Sequence, residues 1–323
     1  MFAPHHQAST GSSCTQDPCK GNPHTFPASG ELSKKDLSLL TDIFMKNTPG
    51  EDNPSEEVAT CGDFGLARVE MHCLSPSTPI SFKVINIVAA YLSDSDSESW
   101  YLPSFFGDIA RLYKGPSEVR GWVASAINTC QLKRFHRRLQ QCSKIFIPLH
   151  DHMSDHWYLL VMNLDERTAE ILDSKPDVHL DDRRMVHARE AILLLQTVFS
   201  NEMTRSTDVY FHFPSFNVNI SELNPRHNRN AESGIYVIRH MQYHGHNWST
   251  QFDSIDHRNL IALEIAKHPR NHVIHPIEAP ASRTRTSANR TATYTGNANA
   301  AFNADMALNG RKCRSHRLRR SRA

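Results

Sequence analysis

No Cys-x-x-Cys pair occurs anywhere in this chain, and its seven cysteines, at 14, 19, 61, 73, 130, 142 and 313, are scattered and odd in number. Such spacing supports neither a disulfide framework nor a zinc ribbon. Reduced thiols of the cytosol or nucleus suit it better. The amino terminus, MFAPHHQASTGSSCTQDPCKGNPH, lacks the apolar stretch of a secretory signal. No run of about 18 or more apolar residues exists, which excludes a single spanning helix. The HExxH pair of helical metalloproteases is missing, and no internal repeat is visible. A soluble intracellular protein of the nucleus or cytoplasm is expected.

What is present is a globular composition with uneven ends. Of 323 residues, 39% are hydrophobic and 22% charged, enough for a core flanked by polar tails. The net charge of +2 hides a cationic terminus, where seven of the last thirteen residues are Lys or Arg. That tail reads as a nuclear-import signal, an anion-binding arm or a solvated end. No aromatic residue interleaves its charges for base stacking, so nucleic acid is not an expected partner. Residues 1–32, rich in Pro, Ser, His and Gly, are expected to be disordered. Residues 33–60 read as a short amphipathic helix, with Leu37, Leu40, Ile43 and Phe44 at helical spacing, and a turn-rich linker. Residues 61–275 read as the folded domain, and 276–323 as a disordered basic tail.

Within the domain, 67–92 reads as a short strand, a Pro-bearing loop and a helix whose face carries Val84, Ile85, Val88 and Leu92. Residues 93–99 read as an acidic loop and 116–142 as mostly helical. Strands are expected at 144–149, 156–164 and 168–174, the last two joined by a tight turn at Asp165-Glu166-Arg167. A helix capped by Asp181 or Asp182 follows over 181–203. A strand at 208–213 and helices at 232–245 and 256–267 complete an α+β fold with a central mixed or antiparallel sheet flanked by helices.

The hairpin carries the chemistry. His156 opens one strand and Asp173 ends its neighbour 17 residues later, so antiparallel pairing brings a base and an orienting carboxylate together. Ser233-Gly234 follows about 60 residues on, where a loop enters the helix GIYVIRHMQYH. A nucleophile there gains from the positive end of the helix dipole. His150, His152 and His156 in HDHMSDH straddle a loop entering a strand and read as a polar cap on the hairpin, not as a metal site. No metal or cofactor is expected.

On KIFIPLHDHMSDHWYLLVMNLDERTAEILDS, SGIYVIRHM and VEMHCLSPSTPISFKVIN, the chain resembles the ubiquitin-like-protein-specific proteases, the SUMO or sentrin group, in a divergent plant-type form. The resemblance covers about 67–245 and implies a thiol-protease fold, a His, Asp, Cys triad, an oxyanion Gln, and substrates that are the Gly-Gly tails of ubiquitin-like modifiers. His156 and Asp173 then match the family's histidine and aspartate. Ser233 falls on the nucleophilic cysteine. Arg226 and His227 stand where the Gln is expected, and Pro79 and Phe82 where a substrate-clamping Trp and an aspartate are expected. These departures imply a peptidase-type domain, 61–275, with impaired turnover, a pseudoenzyme in effect. The alternative is a non-catalytic binding module for a ubiquitin-like modifier.

Overall fold

The computed structural model describes residues 32–44, 55–113, 119–200, 211–221, 230–245 and 252–273. Its centre is the run from Lys144 to Leu172, three antiparallel strands joined by two short turns. Strand β4 (Lys144–Asp151) pairs with β5 (His156–Asn163), which pairs with β6 (Thr168–Leu172). Every β5 residue from His156 to Met162 is buried, as a central strand covered on both faces must be. Two outer strands, β3 (Ser99–Tyr101) and β7 (Asn217–Ser221), add in parallel, giving the mixed order β3-β4-β5-β6-β7. A separate hairpin, β1 (Glu57–Cys61) and β2 (Phe64–Ala67), precedes them.

Strand alternation sends Tyr158, Leu160 and Met162 to one face and Trp157, Leu159 and Val161 to the other. The first face is covered by α4 (Phe105–Leu112), α5 (Val119–Thr129) and α6 (Val178–Val198). The second is covered by α3 (Phe82–Ser95), α7 (Ser233–Gln242) and α8 (Ser254–Lys267). The amino-terminal helix α1 (Lys34–Phe44) buries Leu39, Leu40 and Ile43 in this same second core and packs on α8. Among the described residues no helix is long and apolar enough to cross a membrane.

The three central strands, α3, α7 and α8 lie where the sequence pattern puts them. Other boundaries differ, each for a local reason. Residues 68–71 form a helical turn, α2, because the Glu70 carboxylate accepts the Ala67 N–H at 2.8 Å and Arg68 turns inward to Glu56. Ser99 begins β3 instead of ending an acidic loop, and three residues are too few to show alternation. Helix α6 starts at Val178, capped by Asp177, whose carboxylate accepts the His179 N–H at 3.0 Å; Asp181 lies inside the first turn. The described part of the strand expected at 208–213 pairs with no neighbour and runs into a 3-10 turn at Phe213, and the strand lies at 217–221, with Val218 buried and Asn217 and Asn219 exposed.

Candidate active site

At the end of the sheet where β5 begins and β6 ends, His156 pairs with Asp173, and Ser233 reaches the backbone of the residue after His156. His156 Nε2 lies 2.7 Å from Asp173 Oδ1, and both residues are 1% exposed. Asp173 ionised is an acceptor only, so Nε2 carries the proton and Nδ1 is the basic nitrogen. Ser233 is the first residue of α7 and fully buried; its Oγ accepts the Trp157 backbone N–H at 3.0 Å. The hydroxyl therefore sits against the residue beside His156, at the amino end of a ten-residue helix.

Asp173 has more than one partner. It accepts the Lys175 backbone N–H at 2.8 Å and forms a buried ion pair with Arg184 of α6. Burial works against its ionised form, but the His156 hydrogen bond, the His156 and Arg184 charges and the Lys175 N–H outweigh it and hold the carboxyl below its ordinary value. Arg184 is a residue that the spacing of catalytic types does not reveal. A signal for it exists: it stands four residues before Ala188 on the stripe that continues through Ala191, Ile192 and Leu195, all buried. A charge on an apolar stripe needs a buried partner, and Asp173 is that partner.

The roof of the site is made by the loop before α3. Ile80 is buried, and its carbonyl accepts the Trp157 Nε1–H at 3.1 Å. A Cβ added at Gly234 would lie 2.4 Å from Ile80 Cβ, so only glycine lets the loop settle there. Arg258 of α8 fixes this arrangement from behind, donating to the carbonyls of Cys73 and Ser75 at 2.9 Å and of Ala231 at 2.7 Å. It thereby ties the roof loop to the turn that delivers Ser233, and nothing in the sequence around it announces this. Pro79 is exposed, while Phe82 opens α3 and packs tilted on Phe105 with ring centroids 5.3 Å apart. Arg226 and His227 lie outside the described residues.

No described cysteine is prepared to replace the hydroxyl. Cys61, Cys73, Cys130 and Cys142 carry no disulfide. Burial pushes the Cys61 and Cys73 thiols up to about 11 and Cys142 to about 12, and raises Cys130 as well. None would carry appreciable thiolate near neutral pH. Among the described residues no group of three or more His, Cys, Asp and Glu side chains gathers to hold a metal ion.

Residues 120–273 match the Ulp1 protease family, C-terminal catalytic domain. The chain is 22% identical over 179 residues to ubiquitin-like-specific protease 1A of Arabidopsis thaliana, covering 54% of this chain and 33% of that protein. It thus spans about a third of the length of that curated relative. In structure it is similar to the C-terminal Ulp1 protease domain solved in complex with SMT3, the yeast ortholog of SUMO. The TM-score is 0.54 at 16% identity, over 75% of this chain and 98% of that one. The Ulp1-like SUMO protease catalytic domain of Chaetomium thermophilum gives 0.50 at 16% identity, over 73% and 90%. The family match spans the hairpin and α7 that hold His156, Asp173 and Ser233, so the likeness of this chain to the Ulp1 protease family includes the candidate site.

Proposed function

We propose that this domain engages the carboxyl-terminal tails of ubiquitin-like modifiers, as a deSUMOylase-type peptidase does, and that its hydrolysis is impaired. The observation that carries the reading is the hydroxyl of Ser233 at the amino end of α7, 3.0 Å from the Trp157 N–H and beside the His156–Asp173 pair. His156 would act as base and Asp173 as its orienter. A cysteine at 233 would give up its proton to the imidazole before substrate arrives, because a thiol has a pKa of about 8.5. A serine hydroxyl must lose its proton during attack on the carbonyl carbon, so the barrier includes that transfer.

Two further features lower the expected rate. The Gln that would donate to the oxyanion is replaced by Arg226 and His227, and losing one such donor typically costs roughly 100- to 1000-fold. Arg184 shares Asp173 with His156, so part of the carboxylate's charge is already neutralised and stabilises the imidazolium less. The modifier as partner is supported by the family match and by the Ulp1 domain's complex with SMT3.

The test is hydrolysis of a SUMO precursor by the full chain. Turnover should be at least about a thousandfold below that of an active thiol protease of the family, and Ser233→Ala should leave it unchanged. Ser233→Cys should acquire labelling by an electrophilic probe built on a modifier tail, and His156→Ala should abolish that labelling. Steady hydrolysis by the wild type that vanishes in Ser233→Ala would overturn the reading in favour of a working serine nucleophile.

A further inference from the structure

Where the β1–β2 hairpin meets the start of α3 lies a cavity of about 250 Å³ that the peptidase chemistry does not use. Phe64, Phe82 and Phe105 wall it, the last two with ring centroids 5.3 Å apart. Its charged rim is unbalanced. Glu57, Asp63 and Glu70 share the lining with one cation, Lys83, which is already paired with Glu70. That leaves Glu57 and Asp63, both exposed, without a cation in the cavity wall. Burial raises the Glu57 carboxyl above its ordinary value, and no charge near it works the other way.

The lining also carries an unused donor. Asn86 of α3 is 1% exposed, and its Oδ1 accepts the Ser104 backbone N–H at 2.7 Å, which fixes the orientation of the amide. Its Nδ2 is buried with no acceptor among the described residues. A buried donor left unpaired is costly, and this one belongs to a residue of the cavity wall. A ligand that suits the site brings an oxygen acceptor to Asn86 and positive charge to the rim. A carboxylate or phosphate has the acceptor but meets Glu57 and Asp63 with like charge. A simple amine has the charge and no acceptor. A basic peptide has both.

We propose that the basic segment 311–322 of this same chain, RKCRSHRLRRSR, docks in the cavity, with a carbonyl oxygen accepting from Asn86 Nδ2 and guanidinium groups at Glu57 and Asp63. The segment lies outside the described residues; it carries seven Lys and Arg residues and no acidic one. Arginine stems cover apolar surface while their heads stay in water, and guanidinium is attracted to aromatic faces. Connectivity favours docking within one molecule. Asn271, close to the last described residue Val273, accepts the Thr60 N–H of β1 at 3.1 Å and donates to the Val58 carbonyl at 3.3 Å. The chain therefore leaves the described domain at the strand that carries Glu57. At up to about 3.3–3.6 Å per residue, the stretch from Val273 to Arg311 is ample to return to it. Phe82 stands two residues after Ile80, so the docked segment lies beside the roof of the candidate active site.

The test uses the full chain with every Arg and Lys of residues 311–322 exchanged for Gln, and a synthetic peptide of residues 311–322 carrying a fluorophore on Cys313. Fluorescence anisotropy should show saturable binding to that neutralised chain. Binding to the wild type should be at least about tenfold weaker, because its own segment competes at high effective concentration. In the neutralised chain, Glu57→Gln with Asp63→Asn, both at exposed positions, should weaken binding about tenfold. Asp165→Asn with Glu166→Gln, an equal change of charge in the β5–β6 turn, should leave it as it was. The Asn86 side-chain amide resonance, identified by its loss in Asn86→Asp, should shift as the peptide saturates. Any one of four results would overturn the proposal: no saturable binding, equal affinity of the wild-type and neutralised chains, the same response to both acid pairs, or a stationary Asn86 resonance. Competition that strengthens with wild-type concentration would overturn docking within one molecule and assign the segment to a second copy. No peptidase substrate enters the assay, so its failure leaves the modifier reading untouched.

Discussion

Gly234 follows Ser233 in the first turn of α7, where alanine would ordinarily be favoured over glycine by roughly 1 kcal/mol. Here the preference inverts, because the added carbon would overlap Ile80, itself anchored by its carbonyl to the Trp157 indole. Relieving the overlap means moving the roof loop or the helix start, at a cost of about 1–3 kcal/mol for overpacking. Gly234→Ala is therefore expected to lower the urea midpoint with an unchanged slope; a midpoint at or above wild type would show that the loop yields freely. The same scale decides the chemistry. On the proposed function, a hydroxyl at position 233 where the family resemblance implies a thiol would keep a nucleophile at the start of α7 and lose the ease of ionising it. The Ser233→Cys and Ser233→Ala pair described above separates those two contributions.

Two helices that brace the site are each started by a short side-chain contact. Asp177 caps α6, which brings Arg184 to Asp173. Asp253 caps α8, its carboxylate accepting the Ile255 and Asp256 N–H groups at 2.7 and 3.3 Å. Helix α8 in turn holds Arg258 against the roof loop and against Ala231. Asp253→Ala should cost about 1 kcal/mol of stability, the usual worth of such a cap. Amide exchange should show the loss first in the opening turn of α8. Protection unchanged in that turn would mean that packing alone starts the helix.

At the scale of the molecule, α1 belongs with the core that α3, α7 and α8 form. Three of its side chains, Leu39, Leu40 and Ile43, are buried there, and the Arg68 guanidinium donates to the carbonyls of Asp42 and Ile43. Removing residues 1–44 would expose apolar surface worth about 1.5–3 kcal/mol per side chain and leave a buried charge with only Glu56. Several kcal/mol of destabilisation is expected in chemical denaturation; a truncated chain with the wild-type midpoint would show that the helix is dispensable. Acid should act in two stages. Burial holds His187 and His257 down to about 4 and His240 to about 3. These histidines bind protons in the unfolded chain first, near pH 6.5, so stability falls as pH drops from there toward 4. The carboxylates follow. Burial opposes ionisation of Asp151, but Ser154, the Met153 N–H and Arg183 hold it down to about 2. Asp173 is also held low, so both contribute stability above the ordinary carboxylate range that is lost as pH falls through it. Denaturant midpoints measured from pH 7 to 2 should decline throughout, and less steeply below pH 4 in Asp151→Asn.

The legible parts of this chain are those whose signal is local. Lys144–Leu172 reads as three strands because each is apolar, long enough to show its period and bounded by turn residues. His156 and Asp173 read as a pair because a hairpin converts sequence separation into proximity. Ser233 reads as a helix start because Glu-Ser-Gly precedes an apolar run. Ser99–Tyr101 and Asn217–Ser221 were less legible, being short outer strands whose extended form depends on the neighbour they join. Arg68 could not be read as interior from α2 alone, since its partners are Glu56 and two carbonyls of α1. Arg184 and Arg258 are buried cations whose partners stand 11 and up to 185 residues away. Such pairing is not written in any window of sequence.

The amino-acid sequence alone therefore determined the residue types at the candidate site: an imidazole, a carboxylate and a hydroxyl, in that order along the chain. Hydrophobic period and turn residues act over a few positions, which is why the hairpin and the main helices could be placed from them. Only the tertiary structure decided that Asp173 is shared with Arg184, that Ile80 closes over Gly234, and that His150 meets His152 and not His156. Those outcomes depend on which faces of distant elements pack together, and packing is settled by the whole core at once.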